Sequence, residues 1–318
     1  MLIGTPEVFL LYVGDDFYNT NKRKVYKTVE LEDWFYRYNV WSYTKHRLWG
    51  ICKRAYYYRY IGPALKSAEN LNTQKLKRLK MLNSRFALQG ILLHEVIENK
   101  IGQNHLGREM SESIAKAQYI QRVEQYRRVA KETLTEYFNG EPMNEAFFGS
   151  IRANGLDQIS MFFGVIWPQL KDLEYLRHEK LDRFKVGDVE AIVKADYVSK
   201  TKDDIIVVSD WKTGANDEKY ESELQIGVYV LWAMQYYEKE PEEVRSELVY
   251  LRTGIMQSYE FSRGQLEGIK GKVVDDFKDI NRTFDIEYFN PDPSPEKCLS
   301  CQFATVCPHS MAIEQLDG

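Results

Sequence analysis

Apolar residues in the first part of the chain recur at three- and four-residue spacing, and past the midpoint they alternate in short β-branched runs. Ser42 is placed to cap a helix running to about Tyr60, where Gly62-Pro63 stops it. FALQGILLHEVIENKI, residues 86–101, predicts a second helix, and from about 107 to 178 the pattern stays helical. KLDRFKVG, EAIVKADYVSK and DIIVVSDWKTG then read as strands, separated by turn residues at Gly187-Asp188 and Lys202-Asp203-Asp204. A helix from about Glu218 to Tyr237 precedes two more strands, SELVYLRTG and IMQSYEF, joined near Gly254. Ser262 caps a last helix through about Asn281, and Pro291, Pro293 and Pro295 carry the chain onward as irregular coil.

This order predicts an α+β fold with an α/β/α core, a central mixed β-sheet flanked by helices. No Pro-, Gly- or Ser-rich linker divides the chain, so residues 1–318 are expected to form one domain. Within it lie a helical region at 41–101, a helical insertion at 102–180, a sheet core at 181–285 and a cysteine-rich region at 286–318. The 44% hydrophobic and 28% charged content suits one large buried core. No apolar run reaches the roughly 18 residues that span a bilayer, and MLIGTPEVFLLYVGDDFYN lacks a basic leader and a cleavage site. The expected location is therefore cytoplasmic, with no membrane partner. In that reducing compartment, clustered Cys298, Cys301 and Cys307 read as metal ligands and not as disulfides.

The net charge of −4 conceals an asymmetry. Residues 41–85 hold eleven Lys or Arg against the single acid Glu69, a local charge of +10, which leaves −14 elsewhere. Within that stretch KRAYYYRYIG interleaves base and aromatic, which suits phosphate neutralisation and base stacking by Lys53, Arg54, Tyr57 and Arg59. The plainer reading is a solvated helix with half-buried tyrosines.

The strands carry the candidate chemistry. Asp196 interrupts the apolar IVKADYV, and Asp210 closes VVSD, with Lys212 two positions on and therefore on the same side of its strand. Two carboxylates converging at paired strand ends suit a hard cation such as Mg2+ or Mn2+. A neighbouring lysine can then orient water and offset charge on a phosphate. Taken singly, each aspartate is an ordinary turn or cap residue, and the lysine an ordinary surface cation.

Together, Asp196 and the Asp210-x-Lys212 strand, followed by a helix, resemble the PD-(D/E)XK nucleases. The chain is most similar to their RecB-like branch that carries an iron–sulfur cluster, which includes CRISPR-adaptation exonucleases and AddB-type nucleases. In that resemblance SYTKHRLWGICKRAYYYRYIG corresponds to the leading helix with the first cluster cysteine, Cys52. GILLHEVIE corresponds to Gly-x-x-x-His, with His94 as a metal ligand, and Glu95 and Glu98 are alternative carboxylates. LQIGVYVLW matches Gln-x-x-x-Tyr, placing Gln225 and Tyr229 beside the active site and the bound strand. CLSCQFATVC reproduces Cys-x2-Cys-x5-Cys. Val193 stands where the family commonly has glycine, and residues from about 103 to 180 match no family motif.

The resemblance implies a metal-dependent DNA nuclease, in particular an exonuclease on single strands or strand ends. Its catalytic residues are Asp196, Asp210, Lys212, Gln225 and Tyr229, and its metal ligands are His94, Asp196, Asp210 and the main-chain carbonyl of Trp211. It also implies a [4Fe–4S] cluster on Cys52, Cys298, Cys301 and Cys307, and protein partners in recombination or CRISPR adaptation. The alternatives are a zinc site formed by Cys298, Cys301, Cys307 and His309, and a non-catalytic iron–sulfur scaffold that binds DNA without cutting it.

Overall fold

The computed structural model describes residues 39–64, 71–214, 221–283 and 285–312. Lys66, Glu69, the N-terminal segment and the expected helix start at Glu218 lie outside the described residues. Five strands form one mixed sheet in chain order: β1 (Glu174–Val186), β2 (Val189–Lys200), β3 (Ile206–Lys212), β4 (Val244–Tyr250) and β5 (Ile255–Tyr259). Pairing is antiparallel except between β3 and β4, which run parallel. Parallel neighbours require a crossover, and the helix Glu221–Tyr237 supplies it.

Among the described residues six further helices have nine residues or more, so that in chain order α1 is Tyr43–Ile51, α2 Leu71–Leu79, α3 Arg85–His105, α4 Glu112–Arg128, α5 Glu145–Met161, α6 the crossover and α7 Arg263–Ile280. Ser42, Ser84, Ser111, Asn144 and Ser262 each accept a backbone N–H at a helix start, as the sequence foreshadowed at Ser42 and Ser262. One core packs α3, α4 and α5 against Tyr197, Trp211 and Val249 of the sheet. A second packs α6 and α7 against Val198, Val208, Leu248 and Tyr250. The sheet thus lies between two helical layers, the expected α/β/α arrangement.

Two expectations differ from the fold. The segment 102–180 is helical only to Leu170, and β1 begins at Glu174, six residues before the predicted strand. The polar run Arg177-His178-Glu179 hides the first part of a strand that pairs with β2, with a register shift between Tyr175 and Arg177 and the pairs His178–Tyr197 and Lys180–Ala195 on either side of Glu179. The leading helix also breaks at Cys52, where the backbone is extended at φ −164° and ψ 112°, before helical turns resume at Lys53 and widen to a π-helical turn at Tyr57–Ile61.

That break rotates the basic aromatic segment inward. Tyr56, Tyr57, Tyr58, Tyr60 and Ile61 form a third core with Leu79, Leu82, Phe289 and Phe303. Arg54 Nε donates to the Phe289 carbonyl at 2.8 Å, and Arg59 Nη1 donates to Gln302 Oε1 at 2.7 Å. The surface expected from Arg54, Tyr57 and Arg59 is therefore packed interior, because the tyrosine rings bury more apolar area than the guanidinium groups lose in hydration once hydrogen-bonded. Only Lys53 keeps a partly exposed ammonium, 3.5 Å from Asp279.

The helical insertion depends on one missing side chain. A Cβ on Gly155 of α5 would lie 2.0 Å from the buried Tyr119 ring of α4. Gly155→Ala is therefore expected to lose about 1–3 kcal/mol from overpacking despite the better helix former. Urea denaturation of the variant beside wild type measures this, and an unchanged or raised midpoint would contradict it.

Candidate active site

The β2–β3 ladder begins with Tyr197 opposite Ser209, so Asp196 and Asp210 come next on adjoining strands, on one side of the sheet. The Trp211 N–H donates to Asp196 Oδ2 at 2.6 Å and fixes that carboxylate across the gap. Lys212 Nζ lies 2.7 Å from Asp210 Oδ2 and 2.7 Å from Gln225 Oε1. Gln225 Nε2 donates to Asp210 Oδ1 at 3.1 Å. Tyr229, one turn further along α6, has its hydroxyl 3.0 Å from the same Asp210 oxygen and 3.2 Å from the Lys194 carbonyl. Buried Asp210 thus has donors at both oxygens, the condition for holding a carboxylate away from water.

His94 enters from α3, whose Leu88, Leu92, Val96 and Ile97 are buried in the first core. Its Nδ1 lies 3.2 Å from Asp196 Oδ1 and 3.5 Å from Glu179 Oε1. Glu179 belongs to β1, opposite Asp196 in the β1–β2 register, and its φ of +49° is unusual for a residue with a side chain. His94, Glu179 and Asp196 can each turn a ligand atom to within 4.8 Å of the others. Asp210 adjoins this group and lies outside it. Lys194 forms an ion pair with Glu179.

Electrostatics follow from crowding. Burial raises the Asp196 pKa, and the Asp210 and Glu179 charges add to it while His94 opposes. Burial alone would lower the His94 imidazole, but the Asp196 and Glu179 carboxylates outweigh it and hold its pKa well above 6.5. Burial likewise works to raise Glu179, yet contact with His94 and Lys194 brings it below the usual carboxylate range. Burial and the nearby aspartates keep the Tyr229 phenol protonated.

The remaining expected residues scatter. Glu95 is bound by the Arg122 guanidinium through two 3.0 Å hydrogen bonds and turns away from the site, and Glu98 stands at its solvent edge. The Trp211 ring lies in the core against Phe162 and Tyr197. Tyr229, expected beside the active site and the bound strand, is buried with its hydroxyl on Asp210. Glu179 was not foreseen. A hairpin folded about Gly187-Asp188 pairs Val186 with Val189, and the same register brings 179 opposite 196, so the turn signal held the clue.

Far along the chain, Cys52, Cys298, Cys301 and Cys307 line one cavity of about 390 Å³ together with His309. All four are free thiols. The Asp292 N–H points to Cys52 Sγ at 3.5 Å and the Phe303 N–H to Cys301 Sγ at 3.4 Å. Burial pushes the Cys301 thiol up to about 12, and the other three sulfurs add to the shift. Four thiols lining one cavity, two of them with a backbone N–H at sulfur, are a donor set of the type that could hold an iron–sulfur cluster.

The sequence matches the profile of the PD-(D/E)XK nuclease superfamily over residues 40–308. The chain belongs to that superfamily. Its mixed sheet with helices on both faces is consistent with the superfamily's restriction-endonuclease-like fold. Thirteen solved chains also match. They include SSO0001, at 16% identity over 59% of this chain and 80% of that one with a TM-score of 0.27. They also include a candidate exonuclease from Eubacterium rectale, at 14% identity over 79% and 98% with a TM-score of 0.35. No curated protein matches. Membership makes the chain a nuclease, and the His94, Glu179 and Asp196 group gives it a possible acidic metal site. Among the described residues no helix is long and apolar enough to cross a membrane.

A raised histidine pKa stabilises the fold fully below 6.5 and loses that contribution as pH rises through the folded-state value. The raised Asp196 pKa acts in the same direction at lower pH. Without divalent cations, the melting temperature should therefore fall as pH rises above 6.5, and His94→Ala should flatten that slope. Thermal denaturation in EDTA across this range checks it, and equal slopes in both proteins would contradict it.

Proposed function

We propose that this superfamily member is a metal-dependent deoxyribonuclease of the RecB-like, four-cysteine branch, acting on single-stranded DNA or strand ends. The observation that carries the reading is the shared hydrogen-bond network joining Asp210, Lys212, Gln225 and Tyr229 beside the His94–Asp196 pair. A structural salt bridge at a strand end needs no such set of donors. His94, Asp196, Asp210 and the Trp211 carbonyl are the proposed ligands of Mg2+ or Mn2+. The bound ion supplies Lewis acidity and a water of lowered pKa.

Around it the side chains have separable tasks. Gln225 and Tyr229 hold Asp210 in place, and Gln225 also fixes the ammonium of Lys212. Lys212 Nζ lies against Asp210, where it can orient the attacking oxygen and offset charge on the phosphate. Phosphate contact falls to the exposed cations Arg47, Lys75, Lys77 and Arg78 in place of the buried Arg54 and Arg59.

Cys52, Cys298, Cys301 and Cys307 are the proposed ligands of a [4Fe–4S] cluster, which would fasten the Cys52 kink to the C-terminal loop. Protein partners in recombination or CRISPR adaptation, and a cytoplasmic setting, follow from the same branch assignment.

Wild type is expected to cut labelled single-stranded DNA with Mg2+ or Mn2+. Asp210→Ala and Lys212→Ala should each reduce the rate by about 100-fold or more. Cleavage unchanged in both variants would refute the site, whereas DNA binding without cleavage in wild type would favour a scaffold. Protein purified without oxygen should be brown, absorb at about 400 nm and hold about four irons per chain. A colourless protein with one zinc would contradict the cluster.

A further inference from the structure

Glu179 has no part in the mechanism above, yet it is the most conspicuous carboxylate near the site. Its side chain is 5% exposed. Its Oε1 is buried without a hydrogen-bond partner among the described residues and stands 3.5 Å from His94 Nδ1. The His94 imidazole pairs with its charge at that distance without completing a close hydrogen bond, and an under-satisfied buried acceptor costs about 1–3 kcal/mol. Its backbone adds strain, because φ +49° in a strand suits glycine and disfavours glutamate. Packing explains neither feature, and both are what a ligand position retains for function.

Lys194 completes the arrangement. It lies two residues before Asp196 on β2, as Lys212 lies two after Asp210 on β3, so each strand end carries one aspartate and one lysine. The Lys194 ammonium takes up the second oxygen of Glu179, with the side chain 19% exposed. Asp210, by contrast, already has donors from Lys212, Gln225 and Tyr229 at both oxygens.

Resting on the proposed metal-dependent activity, we propose that Glu179 is a direct ligand of the divalent cation, shared with His94 and Asp196, and that Lys194 holds its place when the cation is absent. Glu179 thereby becomes a third carboxylate at the centre, supplied by β1. The entering cation competes with an ammonium for one of the Glu179 oxygens, so Lys194 sets the affinity from outside the ligand set.

Mn2+ binding without DNA tests this, by calorimetry and by the electron paramagnetic resonance of free Mn2+. Glu179→Gln should weaken binding by at least about tenfold, the loss expected even for an outer partner of a ligand. Glu179→Gly should weaken it equally while folding as wild type by circular dichroism, because glycine accepts the left-handed backbone. Lys194→Met should tighten binding by about fivefold or more through loss of the competing charge. In the double variant Glu179→Gln/Lys194→Met that gain should vanish. Wild-type affinity in both Glu179 variants, with binding abolished in Asp196→Asn, would overturn the inference and leave the metal-dependent reading standing. Unchanged or weaker binding in Lys194→Met would overturn the place-holding role. Absence of Mn2+ binding in wild type would overturn both readings together.

Discussion

The active centre depends on burying like charges at the open end of a sheet. Asp196 and Asp210 are adjacent because β2 and β3 pair antiparallel and stop pairing just before them. Their repulsion is tolerable only with cationic and hydrogen-bonding groups on every side, and these come from different parts of the chain. β3 supplies Lys212, α6 supplies Gln225 and Tyr229, and α3 supplies His94. The two helical layers are therefore electrostatic supports as well as hydrophobic cover. α6 does both tasks: Ile226, Val230 and Trp232 bury in the core while Gln225 and Tyr229 reach the aspartate.

The same economy governs the basic aromatic segment. Arg54 and Arg59 spend their guanidinium donors on Phe289, Gln302 and Lys80 acceptors, which fasten the two regions of the chain together around the tyrosines. Trp41 Nε1 and Trp49 Nε1 donate to Asp276 and Asp279 of α7 and extend that attachment along the leading helix. A stretch that is +10 on paper therefore uses part of its charge internally.

Much of the architecture was legible because its signals are local. Ser42 and Ser262 announce helix starts, Gly187 and Gly254 announce hairpins, both at positive φ, and Asp210-x-Lys212 announces a strand end. The rest required tertiary knowledge. Arg177 and His178 fall within the helical pattern of the sequence, and only pairing with β2 makes them strand. KRAYYYRYIG reads equally as a nucleic-acid surface or a half-buried helix, and the partners that decide it, Phe289 and Phe303, lie more than 200 residues away. Glu179 was hidden for a similar reason, since its significance comes from facing Asp196 across a hairpin.

The aromatic junction between the leading segment and Phe289 and Phe303 has a consequence for biogenesis. Its halves lie more than 200 residues apart in the chain, and the ribosome adds about 5–20 residues per second, so the tyrosines must wait unpaired for many seconds until Phe289 and Phe303 emerge. During that interval the nascent chain presents a sticky aromatic surface that chaperones would be expected to shield. Closure of this seam is thus a checkpoint in maturation, passed only by chains synthesised through Phe303.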